Sequence, residues 1–175
     1  MYIVVSNPAG RVDVIEHGSK EPYKSLPIEM MYCSFMQGNH LFIGALNKVY
    51  LVDVSRDFEI VSSCTFNRHV SSICSMNPNQ FVIGQQGGFL AMIEVTGNGE
   101  IMKVAENKIT GAIYKVIKTS NVDEFALACS GGLYFAKYEP EFKRFTVSSD
   151  YLLVDHLVTQ VVEISFNKFA VGIWG

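Results

Sequence analysis

Apolar and polar positions alternate along the chain in short runs, and turn-forming residues interrupt these runs at regular intervals. The clearest stretch, residues 69–95, reads HVSSICSMNPNQFVIGQQGGFLAMIEV. It holds an alternating run at 70–76, an Asn-Pro-Asn turn, an apolar run at 81–84, a Gln-Gln-Gly-Gly turn and a third run at 89–95. A period of two broken by Gly, Pro and Asn predicts three consecutive antiparallel strands.

An apolar triplet followed by a small residue recurs along the whole chain. Its copies are LFIG at 41–44, FVIG at 81–84, FALA at 125–128 and FAVG at 169–172, with a weaker copy, YIVV, at 2–5. The last positions of the four clear copies are 40, 44 and 44 residues apart. The first four copies in chain order are each followed by a turn and by a run ending in an acidic residue: Glu16, Asp53, Glu94 and Glu139. Glu139 falls one place late, which predicts a bulge in its strand.

Two further strands fit into each repeat. One follows the acidic residue, at 58–64, 100–105 and 142–147, and one precedes the triplet, at 30–36, 70–76, 112–118 and 160–166. The predicted total is 17 strands, grouped three, four, four, four and two, in units 1–28, 29–67, 68–109, 110–156 and 157–175. Four strands repeating every 40–45 residues favour an all-β propeller of four-stranded antiparallel blades over a sandwich or barrel.

Residues 69–95 resemble a WD repeat. His69 falls where that family has a His before the innermost strand, 77–79 at its Ser-Pro-Asp-Gly turn, and Gly87 and Gly88 at its Asp-Gly turn. Ile93 and Glu94 fall at the Trp-Asp pair, whose Trp position holds Ile15 and Val52 in other copies. The resemblance covers nearly the whole chain and implies a divergent WD-like propeller. Because the tryptophan and the turn aspartate are missing, the family's hydrogen-bond network cannot form as such, and another propeller family stays open.

The predicted units are too few for a complete ring of this type. WD-like propellers have about seven blades of about 42 residues, so about four blades predict an incomplete ring. Three interpretations stay open: a fragment of a longer propeller, which we favour, a ring completed by a partner chain, or four blades closing on themselves. Because unpaired strand edges associate, we expect the isolated chain to self-associate or to need the rest of the ring.

Composition and charge narrow the class of partner and the compartment. The net charge is −3, and the Lys and Arg residues are scattered, which disfavours nucleic acid. No apolar run approaches the about 18 residues that span a bilayer, and the start lacks the basic region of a signal peptide, so we expect no membrane insertion. The four cysteines lie in apolar runs without C-x-x-C spacing, which predicts reduced core thiols in an intracellular, cytoplasmic protein, with the nucleus as an alternative.

Catalytic and metal-binding motifs are not evident in the sequence. The four histidines are not closely paired, and Ser130 lacks the preceding Gly of a nucleophile elbow. The recurring acidic residues occupy equivalent points of different units, so they cannot converge as an acid–base pair. We therefore expect no catalytic residue, no cofactor and no bound metal.

Loops on one rim of a propeller usually dock partners, and the predicted contact residues lie there. We expect a protein-binding surface formed by residues in the loops between units, in the turns after the triplet and in the long connection at 148–158: Arg68, His69, Gln85, Gln86, Tyr151 and Trp174. Arg and Trp are enriched at interface hot spots. Trp174 has an alternative interpretation as a core residue of a continuing unit.

The sequence favours a non-enzymatic interaction scaffold and does not identify its partner. The alternative is a propeller enzyme, lactonase-like or quinoprotein-like, with a site in the central channel. Such a site needs polar residues where the inner strands begin, and Met30, Val70 and Ala112 occupy those positions. A lipid- or kinase-associated regulatory propeller is not separable from the scaffold. All these functions are analogies at the level of fold.

Overall fold

The computed structural model describes residues 2–6, 10–109, 111–148, 153 and 155–174. Strands account for 65% of the described residues and helix for 4%, which confirms the all-β class. Within the described ranges, no helix combines the length and the apolar character needed to cross a membrane.

Seventeen strands in the described residues form five antiparallel sheets of three, four, four, four and two strands, as the sequence predicted. Each sheet is a meander, and each falls inside one of the predicted units. The strands are β1 Tyr2–Ser6, β2 Val12–Glu16, β3 Pro22–Leu26, β4 Cys33–Gln37, β5 His40–Gly44, β6 Lys48–Asp53, β7 Glu59–Thr65, β8 Val70–Asn77, β9 Gln80–Gln85, β10 Phe89–Val95, β11 Ile101–Lys108, β12 Ile113–Lys118, β13 Glu124–Cys129, β14 Gly132–Glu139, β15 Arg144–Val147, β16 Leu157–Ser165 and β17 Lys168–Trp174. Two 3₁₀ turns, Val54–Arg56 and Pro140–Phe142, follow β6 and β14.

Consecutive sheets pack face to face. The first strands β4, β8, β12 and β16 lie next to one another in that order, and the last strands β7, β11 and β15 do the same. A separate hydrophobic cluster fills each of the four spaces between neighbouring sheets. Neighbouring sheets therefore stack with their first strands adjacent and, from the second sheet to the fourth, with their last strands adjacent.

In β5, β9 and β13 both faces of the triplet strand are buried, which explains why these triplets are wholly apolar. Leu41 and Ile43 pack against the β1–β3 sheet, whereas Phe42 packs against the β8–β11 sheet. In the next sheet, Phe81 and Ile83 face back towards β4–β7, and Val82 faces β12–β15. A strand buried on both faces needs a continuous hydrophobic run, not an alternating one.

The small residue that ends each triplet lies where the first strand of the next sheet approaches. A Cβ atom on Gly84 would lie 2.7 Å from Cγ2 of Val116 and 2.9 Å from Cγ2 of Ile113, both in β12. A Cβ atom on Gly44 would lie 2.6 Å from Cγ1 of Val70 in β8. At these two positions the repeat of about 40 residues therefore reflects a packing contact between neighbouring sheets.

Polar contacts between sheets follow the same period. The amide N–H of Val116 donates to Oγ of Ser72 at 3.0 Å, and the side-chain amide of Asn107 both donates to and accepts from the main chain of Phe145 at 3.0 Å. These partners are 44 and 38 residues apart. The contacts satisfy backbone groups that the in-sheet ladders leave unpaired.

The fourth sheet corrects the prediction of a bulge at Glu139. β14 pairs with β13 and β15 in continuous register, so that prediction is wrong. The corresponding pairs in the first three sheets do shift register, with an extra residue on the last strand. β14 is eight residues long, whereas β10 has seven and β6 has six, so Glu139 is displaced by a longer strand.

All four cysteines are free, and burial sets their reactivity. Burial raises the pKa of the Cys33 and Cys129 thiols to about 12, because the charged thiolate is disfavoured away from water. Burial also raises the pKa of Cys64, which is less enclosed.

Slow alkylation of the two most protected thiols is a testable consequence. At pH 8 the raised pKa keeps Cys33 and Cys129 protonated, and the thiolate is the reactive form. We expect iodoacetamide to label Cys129 at least tenfold more slowly in the native protein than in 8 M urea, with Cys64 labelled faster than Cys129. Peptide mass spectrometry over a time course measures both rates. Equal rates at Cys129 with and without urea would contradict the burial of this thiol.

Candidate functional site

Three segments meet at one rim of the stack. The loop between β7 and β8 contacts the turn between β9 and β10, where the N–H of Gln86 donates to the carbonyl of His69 at 2.9 Å. The N–H of Ile109, just after β11, donates to the carbonyl of Gly88 at 2.8 Å. Between these segments lies a cleft of about 440 Å³, lined by Arg68, His69, Gln86, Gly87, Phe89 and Lys108. We call it the rim cleft.

Gln85 anchors the loop beneath the rim cleft. Its side chain is 0% exposed, its Oε1 accepts from the main-chain N–H of Arg68 at 3.2 Å, and its Nε2 donates to Oε1 of Glu106 at 2.9 Å. The other carboxylate oxygen of Glu106 accepts from Asn67 at 2.8 Å and from Lys103 at 2.7 Å. The predicted contact residue Gln85 therefore lies under the surface and fixes the position of Arg68.

Arg68 lies at the mouth of the cleft, and its aliphatic stem passes close to Gly87. A Cβ atom on Gly87 would lie 3.1 Å from Cγ of Arg68, and Gly87 has a φ of +101°. Both the close approach and the backbone conformation require glycine here. The stem of Arg68 therefore passes close to the Gly87 main chain, and its guanidinium group is exposed.

The two basic side chains of the cleft carry unneutralised charge. Among the described residues, neither Arg68 nor Lys108 forms an ion pair, whereas Lys103 pairs with Glu106 at 2.7 Å. Both side chains are exposed. The rim cleft is therefore locally positive on a chain whose net charge is −3.

His69 forms a ring wall beside the two cations. Its imidazole stacks on Tyr32, with ring centroids 5.3 Å apart and planes inclined by 20°. Tyr32 comes from the segment before β4, so the stack joins neighbouring sheets. The flat face is thus held in place from two elements.

The remaining predicted contact residues lie apart from the cleft or outside the described residues. Trp174 is 74% exposed at the end of β17, opposite Leu157. Tyr151 lies outside the described residues. The structure brings together Arg68, His69, Gln85 and Gln86.

Sequence reasoning missed two residues that line the rim cleft, Phe89 and Lys108, and Tyr32, which stacks on His69 behind it. A signal for Lys108 was available, since Phe89 directly follows the Gln-Gln-Gly-Gly turn and pairs with Lys108 across the two strands. Phe89 is the first residue of β10, so its partner on the neighbouring strand β11 has to lie at the same rim. Tyr32 had no comparable signal in the sequence.

A second cleft, of about 350 Å³, opens at the opposite rim between the β4–β7 and β8–β11 sheets. Its floor includes Phe42 and Phe81, whose ring centroids are 4.2 Å apart. The charges at its edge are paired internally, because Nε of Arg56 lies 3.3 Å from the Asp53 carboxylate. Asp53 also accepts from the N–H of Ser55 and caps the following turn.

Within the described part of the chain, no three His, Cys, Asp or Glu side chains are grouped closely enough to hold a metal ion. No protein-family model matches the chain, and no curated protein matches its sequence. The function is therefore argued from the geometry of the rim cleft.

Proposed function

We propose that this chain is a non-enzymatic protein-interaction module, a segment of a WD-like β-propeller whose rim cleft docks a protein partner. The observation that carries the proposal is the convergence of three segments on one cleft with two unpaired cations. Loops positioned by a rigid scaffold commonly carry binding residues.

The propeller assignment is supported by the repeat and by the stacking of the sheets. Successive four-stranded meanders pack face to face, with first strands beside first strands. Ile93, at the position where WD repeats carry tryptophan, is fully buried in the space between two sheets. A hydrophobic contact there takes the place of the hydrogen-bond network of that family.

Rigidity of the loops favours tight docking on a small surface. The turn and the loop are tied together by the bonds of Gln85 and of the Gln86 N–H, so little freedom is lost when a partner binds. Affinity in such surfaces comes from a few anchors, among which Arg is enriched. Arg68 is the anchor that the geometry favours.

The fifth sheet of the proposed propeller carries an exposed apolar face. Val162, Ile164 and Trp174 are all more than half exposed on β16 and β17, and among the described strands β17 pairs only with β16. Another sheet stacked in the same way would cover this face.

Self-association of the isolated chain follows from this exposed face. We expect the apparent mass of the 175-residue chain to rise with concentration in light scattering between about 5 and 200 μM, since uncovered apolar faces and edges associate. Replacing Val162 and Ile164 with lysine should shift the chain towards the monomer, and replacing the exposed polar residues Ser34 and Ser63 with lysine should not. A wild-type chain that stays monomeric over the whole range would contradict this expectation.

The docking proposal is tested by charge reversal. Protein carrying both Arg68→Glu and Lys108→Glu is compared with wild type and with Arg56→Glu, which alters charge at the opposite rim. Each is used in cross-linking capture with quantitative mass spectrometry from cells that express the protein. We expect a set of proteins held by wild type and by Arg56→Glu to be lost with the double variant. Equal retention by all three would overturn the proposal.

A further inference from the structure

We propose that the rim cleft recognises an oxyanion, a carboxylate or a phosphate group, carried by a peptide segment of the protein partner. The inference rests on the proposed function and specifies the chemistry of its partner. Three features carry it: the balance of charge, the placement of the arginine on an anchored loop, and the size of the cleft.

The charge balance favours an anion. Glu106 is the acidic group nearest to this network, and its two oxygens are already occupied by Gln85, Asn67 and Lys103. Arg68 and Lys108 therefore face the cleft without a described carboxylate partner. Two unpaired cations at the mouth of a cleft attract negative charge and speed its association.

The geometry favours an oxyanion over a diffuse negative surface. Arginine offers a planar fork of N–H donors that matches the two oxygens of a carboxylate or phosphate group. Here the main-chain N–H of Arg68 is bonded to Gln85 and the arginine stem passes close to Gly87, so the exposed fork extends from a loop whose position is fixed. The stacked ring of His69 and the half-buried Phe89 supply apolar wall for the methylene groups that lead to the anion.

The size and extent of the cleft favour a peptide over a nucleic acid. A volume of about 440 Å³ accommodates one or two side chains with their main chain. Nucleic-acid surfaces need a stripe of basic residues that follows successive phosphates, and the lining of the rim cleft holds two basic residues, Arg68 and Lys108. The partner is therefore a segment with one dominant anionic side chain.

The experiment is an NMR titration of the full chain with matched probes. Three nine-residue peptides share one sequence and differ at the centre, which is glutamate, phosphoserine or glutamine; acetate, inorganic phosphate and a single-stranded DNA 10-mer are titrated separately. We expect saturable shifts of the Arg68 Nε–H and of the Gly87 and Gly88 amides with at least one oxyanion peptide, and at least tenfold weaker binding of the glutamine peptide. Whether the glutamate or the phosphoserine peptide binds more tightly distinguishes the two sources of the anion.

Matched variants distinguish binding in the rim cleft from non-specific attraction to positive charge. Arg68→Gln should weaken oxyanion binding at least tenfold and Lys108→Gln at least threefold, whereas Arg56→Gln, which removes the same charge elsewhere, should leave it unchanged. Saturable shifts only with the DNA, equal binding of the glutamine peptide, an equal loss with Arg56→Gln, or no saturable shift with any oxyanion would each overturn the inference.

The outcomes also separate this inference from the proposed function. If the charge-reversed protein loses captured partners while no oxyanion binds to the cleft, docking stands and anion recognition fails. If oxyanions bind at Arg68 while all captured proteins are retained by the charge-reversed variant, the site stands as an anion site and protein docking through it fails.

Discussion

Replacing Gly84 with valine is expected to lower the free energy of unfolding by about 3 kcal/mol, the upper part of the usual range for overpacking. The first atom of any side chain at this position would meet Val116 at 2.7 Å and Ile113 at 2.9 Å. Both neighbours are buried and β-branched, so neither can rotate away cheaply. For a chain of this length the melting temperature should fall by about 6–12 °C, which thermal unfolding followed by circular dichroism measures.

A matched control and a compensating change test the cause of that loss. A Cβ atom on Gly97 would meet nothing within 4 Å, so Gly97→Val should change the melting temperature by less than about 2 °C, as surface substitutions usually do. Adding Val116→Ala to Gly84→Val makes room for the new side chain. The double variant should therefore be more stable than the sum of the two single effects predicts. A Gly84→Val protein as stable as Gly97→Val would mean that the sheets are not in contact here.

The strand pattern could be predicted from sequence because the signals that determine it are local. Alternation, the turn residues and the position of each triplet gave the grouping of three, four, four, four and two strands, which the sheets reproduce. The repeat in the sequence also indicated that position 84 requires a small residue. Its cause was not, since the atoms that exclude a side chain belong to Val116 and Ile113, about 30 residues further along the chain.

The site was predicted less well because the burial of its residues depends on partners that are distant in the sequence. Gln85 and Gln86 are adjacent and identical, yet Gln85 is fully buried and Gln86 is half-buried. Glu106 makes the difference, since it accepts a hydrogen bond from Gln85 across 21 residues. Strand propensity and the local apolar pattern do not distinguish the two glutamines. Only the pairing of strand ends shows which one lies inside.

Replacing Gln85 with leucine should therefore have a much larger effect than the same change at Gln86. Leucine fills a similar volume but leaves the Arg68 N–H without its acceptor and Glu106 without one donor. Losing such partners at a buried site costs about 2–3 kcal/mol. Gln86→Leu keeps the main-chain bond to His69, and we expect less than about 0.5 kcal/mol. Urea unfolding of the two variants gives the comparison directly.

The same pair of variants connects stability to recognition. If Gln85 holds Arg68 in place, Gln85→Leu should weaken oxyanion binding although the guanidinium group and the charge of the cleft are unchanged. Glu106→Gln keeps one acceptor for Gln85 but places an amide donor opposite Asn67 and Lys103, so it tests the charge of Glu106 and those two bonds while the acceptor of the Arg68 N–H stays in place. Should Gln85→Leu prove as stable and bind as well as Gln86→Leu, the buried amide would not position the arginine. Preorganisation of the rim cleft would then have to come from the packing of the arginine stem on Gly87.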